Sequence, residues 1–273
     1  MFSLIDPDPI SLALIRRGQL HGPLMLMYHS VQRGRAIPDW PWAVSMARFR
    51  SQLDFLAGEG WKTVTMADLA ARPQAWPERT VVITFDDGYR DNYEAFEALA
   101  QRGMCASWFV VAGWLGRGAG WGDAGQPSDP LLEPAQLRAM QSAGMEIGSH
   151  TVDHLRLPDL DNTQLNAQLL TSKALLEDVL GTEVVSFAYP YGAWDERCEQ
   201  AVMAAGYRYA CTTRSGWALR DGNPLRLRRL AIFNDDNLSS FARKIAFATN
   251  DVRWASMIGY WRRQLLARMG WNT

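Results

Sequence analysis

The chain has 273 residues, 48% of them apolar, and a formal net charge of −1. That balance, with basic residues scattered along the chain, offers no general field for nucleic acid, and no run approaches the roughly 18 consecutive apolar residues of a membrane span. Three cysteines, Cys105, Cys198 and Cys211, show no CxxC spacing and are odd in number, which argues against a disulfide scaffold and favours a reducing compartment; they read as small buried hydrophobes.

The first residues, MFSLIDPDPISLALIRRG, put acidic residues and prolines ahead of a short apolar stretch and arginines behind it. That order is wrong for a secretory signal, so the expected location is the cytoplasm or the cytoplasmic membrane surface. Short apolar runs then alternate with helical patterns, as a β/α succession requires. Strands are predicted at 24–28, 62–65, 80–85, 104–111, 145–149, 184–189, 207–211 and 225–232. Helices are predicted between them at 46–59, 92–101, 134–142, 163–180 and 195–205. In the first helix Phe49, Leu53 and Leu56 recur at helical spacing and Gly60 follows as a stop signal. The fourth carries Leu165, Leu169 and Leu176 on one side and ends at Gly181, where a left-handed cap favours glycine.

Between 112 and 130 a glycine-rich stretch holding Trp114, Trp121 and Asp123 has no clear period and predicts a long loop over the rim. The final segment, VRWASMIGYWRRQLLARMGW, mixes Arg with aromatic and aliphatic residues in a helical pattern. Its composition suits a helix packed on the exterior, or one making peripheral contact with an anionic membrane. The whole is expected to be one domain, 1–273, with a core at about 24–235 and a C-terminal helical extension at 237–273.

Four predicted strands end in polar or turn chemistry. LMLMY leads to His29, VVITF to Asp86 and Asp87, MEIGS to His150, and VVSFAY to Pro190-Tyr191-Gly192. If the strands are parallel around a barrel, all four endings meet at one mouth, where barrel active sites gather. His150 and His154, spaced H-x3-H, match zinc-ligand spacing, and one carboxylate completes a three-ligand set that leaves a position open for water. In HExxH motifs the residue after the first His is the general base; here Thr151 holds that position, so the other Asp of the pair is the candidate base. Spacing alone does not say which Asp ligates and which abstracts a proton.

TFDDG, HTVDH and YPYG, in this order and at these separations, resemble the first three signature motifs of the polysaccharide deacetylases, the NodB-homology or carbohydrate esterase family 4 group. The opening YHSV and the stretch FRSQLDFLAGEGWKTVTMADL are similar to the branch that contains the poly-N-acetylglucosamine deacetylases. The resemblance spans about 24–235 and implies an α/β, distorted (β/α)7 TIM-like barrel. It also implies a hydrolase that uses a divalent metal, Zn²⁺ foremost, to remove N-acetyl groups from an N-acetylated glycan or a lipid-linked sugar. It assigns Asp86 to proton abstraction and Asp87, His150 and His154 to the metal. A backbone N–H of the YPYG turn, that of Tyr191, is expected at the oxyanion.

The chain departs from the family pattern twice. The late His that supplies the general acid in many members is missing from LRRLAIFNDD, which makes His29 the candidate acid. The Arg that usually precedes the Pro of the third motif is replaced by Ala188 in FAYPYG, which makes Arg229 the candidate to hold Asp86. Two alternatives stay in view: deformylation of a lipid-linked amino sugar by the same constellation with a smaller acyl pocket, and, because of these departures, glycan binding without catalysis. Trp114, Trp121, Trp194 and Trp217, four of twelve tryptophans, lie near predicted strand ends where they can line a glycan groove.

Overall fold

The computed structural model describes residues 7–253 except 19, 75, 123 and 124. In chain order the elements are α1 (Pro9–Arg17), β1 (Leu24–Tyr28), β2 (Ser30–Gln32), β3 (Ala43–Ser45), α2 (Met46–Gly58), β4 (Lys62–Thr63), α3 (Met66–Ala71), β5 (Thr80–Phe85) and α4 (Asn92–Ala100). They continue with β6 (Ser107–Val110), α5 (Pro134–Ser142), β7 (Glu146–Ser149), α6 (Asn162–Leu180), β8 (Ser186–Ala188), α7 (Glu196–Ala204), β9 (Tyr209–Cys211), β10 (Leu230–Ala231) and α8 (Leu238–Phe247).

Every residue of β1 and β5 is buried, as expected of parallel strands covered on both faces. The strands pair in parallel in the order β10, β1, β5, β6, β7, β8, β9, with β4 as a stub on β5. β5 gives Thr80 and Val81 to β4 and Thr84 and Phe85 to β6. Beyond β9 the chain turns back along its edge, where the Leu227 N–H donates to Ala210 and the Leu227 carbonyl accepts from Thr212. Leu230 and Ala231 then pair with Leu26 and Met27 of β1. The stretch 225–231 is therefore the stave that joins the two edges, and the ring is a distorted (β/α)7 barrel. The predicted strand at 225–232 is shortened to β10 because the chain changes partners midway, leaving Arg228 and Arg229 between two ladders.

Helix termini follow local chemistry. Asp161 and Gln164 form a reciprocal capping box at the start of α6, and Gly181 ends it at φ 67°. Thr65, at the end of a predicted strand, instead caps α3 by accepting from Asp68 N–H. The sequence reading did not anticipate α1, α3, β2 or β3. β2 and β3 have three residues each and pair only with one another, too short to show alternation. α1 starts from Asp8, which accepts from Ile10 and Ser11 N–H. Arg243 of α8 reaches Asp8 Oδ2 at 3.3 Å and Ser11 Oγ at 2.9 Å, fastening α1 to α8. Of the predicted extension at 237–273, α8 and the chain to 253 are described; most of the segment read as a surface helix, 254–273, lies outside the described residues. No described helix is long and apolar enough to cross a membrane.

Candidate active site at the barrel mouth

Because the strands are parallel, the residues after β1, β5, β7 and β8 reach the same rim. Asp86 N–H donates to the Tyr28 carbonyl at 2.9 Å, so the acidic pair continues the β1–β5 ladder by one residue. The chain then turns sharply. Asp87 takes φ 70° and Gly88 φ 83°, and a side chain at Gly88 would put its Cβ 2.8 Å from Val110 Cγ1. Thr151, His154 and Tyr191 also have positive φ, so four of the five described non-glycine residues in that region lie at this mouth. Strain gathered at one place marks a site whose geometry the surroundings impose.

The HTVDH turn is held from both sides. His154 N–H donates to Thr151 Oγ1 at 2.9 Å, while Gln168 of α6 accepts from the N–H groups of Val152 and Asp153 at 3.0 Å each and donates to Asp153 Oδ2. Within this clamp Nε2 of His150 stands 3.6 Å, and Nε2 of His154 3.4 Å, from Asp87 Oδ1. The three potential ligand atoms lie within 4.8 Å of one another and all three residues are buried. Nδ1 of His150 is 2.8 Å from the Ala188 carbonyl, which fixes the proton on Nδ1 and turns the Nε2 lone pair toward Asp87. Nδ1 of His154 is 3.1 Å from the Tyr191 hydroxyl, and the Tyr191 and Trp121 rings flank the imidazole at 4.6 and 4.7 Å.

Burial pushes the His150 pKa down and that of His154 down to about 2, with His150 next in effect on the latter. Neutral imidazole lone pairs facing a carboxylate oxygen in a dry pocket repel unless a cation lies between them. Two ligands about 2.0–2.1 Å from one tetrahedral ion stand about 3.4 Å apart, so the donor set and its spacing fit a divalent metal.

Asp86 sits beside this cluster at 2% exposure. Arg229, wholly buried, meets it with both arms: Nη1 to Oδ1 at 2.6 Å and Nη2 to Oδ2 at 2.8 Å. The guanidinium is itself fixed by Thr84 Oγ1 at 3.1 Å and the Thr212 carbonyl at 3.0 Å. Burial favours the neutral acid, but the Arg229 charge and then His150 outweigh it and hold the Asp86 carboxyl at about 2. Asp86 is thus ionised at neutral pH and aimed by a fork-shaped partner.

His29 follows β1 onto the rim, its ring 4.8 Å from Trp42 and 6.0 Å from Trp40, with Nδ1 inaccessible and lacking a hydrogen-bond partner. Burial lowers its pKa to about 4, against the opposing pull of Asp86. Trp40, Trp42 and Gln168 escaped the sequence reading. So did Asp91, which accepts from Ser30 Oγ, Val31 N–H and Asn92, while Asn92 also donates to the His29 carbonyl at 2.8 Å. Asp91, a residue type favoured immediately ahead of a helix and here the residue before α4, was the available signal. Trp217 is not at the mouth: it packs edge-on to His21, and its neighbour Ala218 bonds Pro23 at the opposite end of β1. Trp194 lies 4.2 Å under the Arg226 guanidinium.

The depressed imidazole values set an acid sensitivity. Below about pH 6.5, the ordinary His value, the unfolded chain binds protons that folded His29 refuses until about pH 4 and folded His154 until about pH 2. Their contribution to stability therefore rises with pH across this window, against the opposite trend from Asp91, whose carboxyl burial pushes up to about 7. In chelator-treated protein the fall in urea midpoint from pH 7 to pH 4.5 is expected to be larger in wild type than in His29→Asn; an equal fall would contradict it.

A parallel barrel with carboxylates and imidazoles crowded at the carboxyl ends of its strands defines an enzyme of the α/β-barrel class. The family model described as polysaccharide deacetylase matches residues 74–210, and the chain belongs to that family. YxkH of Bacillus subtilis (strain 168), which carries the family's name, is 29% identical over 225 residues, covering 81% of this chain and 75% of that protein. The poly-beta-1,6-N-acetyl-D-glucosamine N-deacetylase of Staphylococcus aureus is 22% identical over 238 residues, 78% of this chain and 79% of the relative. The solved Streptococcus pyogenes deacetylase PplD, in complex with acetate, shares the fold with a TM-score of 0.71 at 22% identity, over 83% of this chain and 99% of that one.

Proposed function

We propose that this deacetylase hydrolyses the N-acetyl groups of amino-sugar units in a polysaccharide or glycolipid precursor, using a divalent metal, Zn²⁺ foremost, held by Asp87, His150 and His154. One observation carries the reading: three potential ligand atoms lie within 4.8 Å of one another beside a carboxylate paired with a buried arginine. When bound, such a cation supplies a lowered water pKa, from about 15.7 toward 7, and polarises a carbonyl. Asp86 takes the proton released as water attacks the acetamide carbon. Arg229 keeps that carboxylate charged and oriented, the part an arginine of the third motif would otherwise play. The Tyr191 hydroxyl orients His154 through Nδ1, and the Tyr191 backbone N–H is assigned to the developing oxyanion.

The proton account closes within the site. The departing amine must gain a proton, since an amide anion is a very poor leaving group. His29, neutral at pH 7 because burial holds it near 4, does not bring a proton of its own. The proton taken by Asp86 returns to the nitrogen, with His29 as its relay.

The test is release of acetate and formate from N-acetyl- and N-formyl-hexosamine substrates. Acetate release is expected, abolished by a chelator and restored by Zn²⁺. Formate alone would reassign the acyl group to deformylation, and chelator-insensitive release would remove the metal from the reaction.

A further inference from the structure

Asp91 stands immediately ahead of α4, a position where an aspartate ordinarily caps the helix, yet its side chain makes no capping hydrogen bond. The carboxylate is turned across to β2 instead. Oδ2 accepts from Ser30 Oγ, and Oδ1 accepts from Val31 N–H at 3.2 Å and from Asn92 Nδ2 at 2.8 Å. Asn92 Nδ2 donates in turn to the His29 carbonyl at 2.8 Å. Two consecutive residues of one segment thus grip three consecutive residues of another, with Ser30 and Asn92 at 0% exposure and Val31 at 1%. The local cap is given up for a contact 61 positions away.

What this clamp holds is the backbone of His29. Nδ1 of that imidazole lacks a hydrogen-bond partner, so the ring takes its place from the chain that bears it and from the Trp40 and Trp42 rings beside it. On one side of His29 the Tyr28 carbonyl accepts from Asp86 N–H at 2.9 Å. On the other, Asn92 and Asp91 hold the His29 carbonyl, Ser30 and Val31. Both ties run to the single segment that follows β5, where Asn92 N–H also donates to the Tyr89 carbonyl at 3.0 Å. His29 is therefore registered from two sides against the segment that carries Asp86. Burial pushes the Asp91 carboxyl up to about 7, so near neutrality its shape, more than its charge, is what it contributes.

Resting on the proposed mechanism, we infer that Asp91 is a positioning residue for the return of the proton to the departing amine: through Ser30, Val31 and Asn92 it fixes the backbone of His29, so that the imidazole keeps the place from which it relays that proton. Its influence falls on the step that breaks the C–N bond, because an amide nitrogen leaves only when protonated, whereas a nitrophenolate leaves without a proton. An asparagine at this position keeps the arrangement, its oxygen accepting from Val31 and Asn92 and its amide donating to Ser30 Oγ. An alanine leaves the buried Val31 N–H without its acceptor.

The test compares Zn²⁺-loaded wild type, Asp91→Ala, Asp91→Asn, Ser30→Ala, His29→Asn and the double variant His29→Asn/Asp91→Ala on an N-acetylglucosamine oligosaccharide and on 4-nitrophenyl acetate. It also records the ¹H–¹⁵N spectrum of the imidazoles, in which His29 is assigned by its loss in His29→Asn. Asp91→Ala is expected to lower kcat on the amide about tenfold, since misplacing a reacting group by about 1 Å can cost about 10²-fold, with KM changed less than about twofold and the ester rate lowered less than about threefold. Asp91→Asn is expected to keep about half or more of the wild-type kcat, and the double variant to be no slower on the amide than His29→Asn. Should Asp91→Ala fail to fold, Ser30→Ala removes one arm of the same clamp and is expected to show the same amide-selective loss. Equal losses on amide and ester, a loss carried by KM, or an Asp91→Asn variant as slow as Asp91→Ala overturn the inference, as does a double variant about tenfold slower than His29→Asn. If the wild type releases no acetate, or His29→Asn matches it, the proposed mechanism falls and the ring resonances decide the clamp. His29 shifts larger in Asp91→Ala and Ser30→Ala than in Asp91→Asn support it; shifts of equal size in all three, or in none, overturn it.

Discussion

Asp86→Asn is expected to lower kcat on an N-acetylated glycan by about 10³-fold, within the roughly 10²–10⁴-fold contribution of a positioned general base. The substitution keeps the shape of the side chain and an oxygen for Arg229, but removes the group proposed to accept the proton of the attacking water. The proposed cation ligands are separate residues, so metal content measured by mass spectrometry should stay near one equivalent. Activity within tenfold of wild type would move the base elsewhere. Loss of the metal along with activity would mean that Asp86, not Asp87, belongs to the ligand set.

Arg229→Met should have the largest effect on stability. It removes the charge that opposes burial at Asp86, leaving a carboxylate at 2% exposure without its partner. Breaking a buried pair from one side typically costs about 3–5 kcal/mol. The sign of its pH dependence follows from the Asp86 value. Folded at about 2 against an ordinary 3.8, the paired carboxylate stabilises the wild type above pH 4, and this contribution fades as pH falls toward 2. The difference in urea stability between wild type and variant should thus be large at pH 7 and much smaller at pH 3. With burial unopposed, the Asp86 pKa climbs, and the acidic limb of kcat/KM moves up toward neutrality. Arg229→Lys restores charge without the two-armed geometry and should recover only part of both losses. A pH-independent stability difference would reduce Arg229 to a packing residue.

What could be read in the sequence divides along physical lines. Buried parallel strands are continuous apolar runs, so β1 and β5 were predicted with their observed limits, and the polar residues that follow them stood out by contrast. The histidine pair was visible because both members lie in one turn. Contacts made across the barrel left no local trace. Arg229 and Asp86 are 143 positions apart, and the pairing was anticipated only through the arginine missing from the third motif, not from any local pattern. Gln168 sits among the leucines of α6, with the same helical period as the core, and nothing in its spacing marks it as the clamp of the HTVDH turn. Trp40 and Trp42 flank His29 through a loop with no period. β2, β3 and α3 are too short for periodicity to emerge.

The last stave, 225–231, is at once the piece that shuts the ring and the carrier of the guanidinium that primes the base. During synthesis, ligands from β5 and β7 emerge well before it. On the proposed mechanism, hydrolytic competence therefore waits for the two ends of the sheet to meet, because the proposed base lacks its arginine until then.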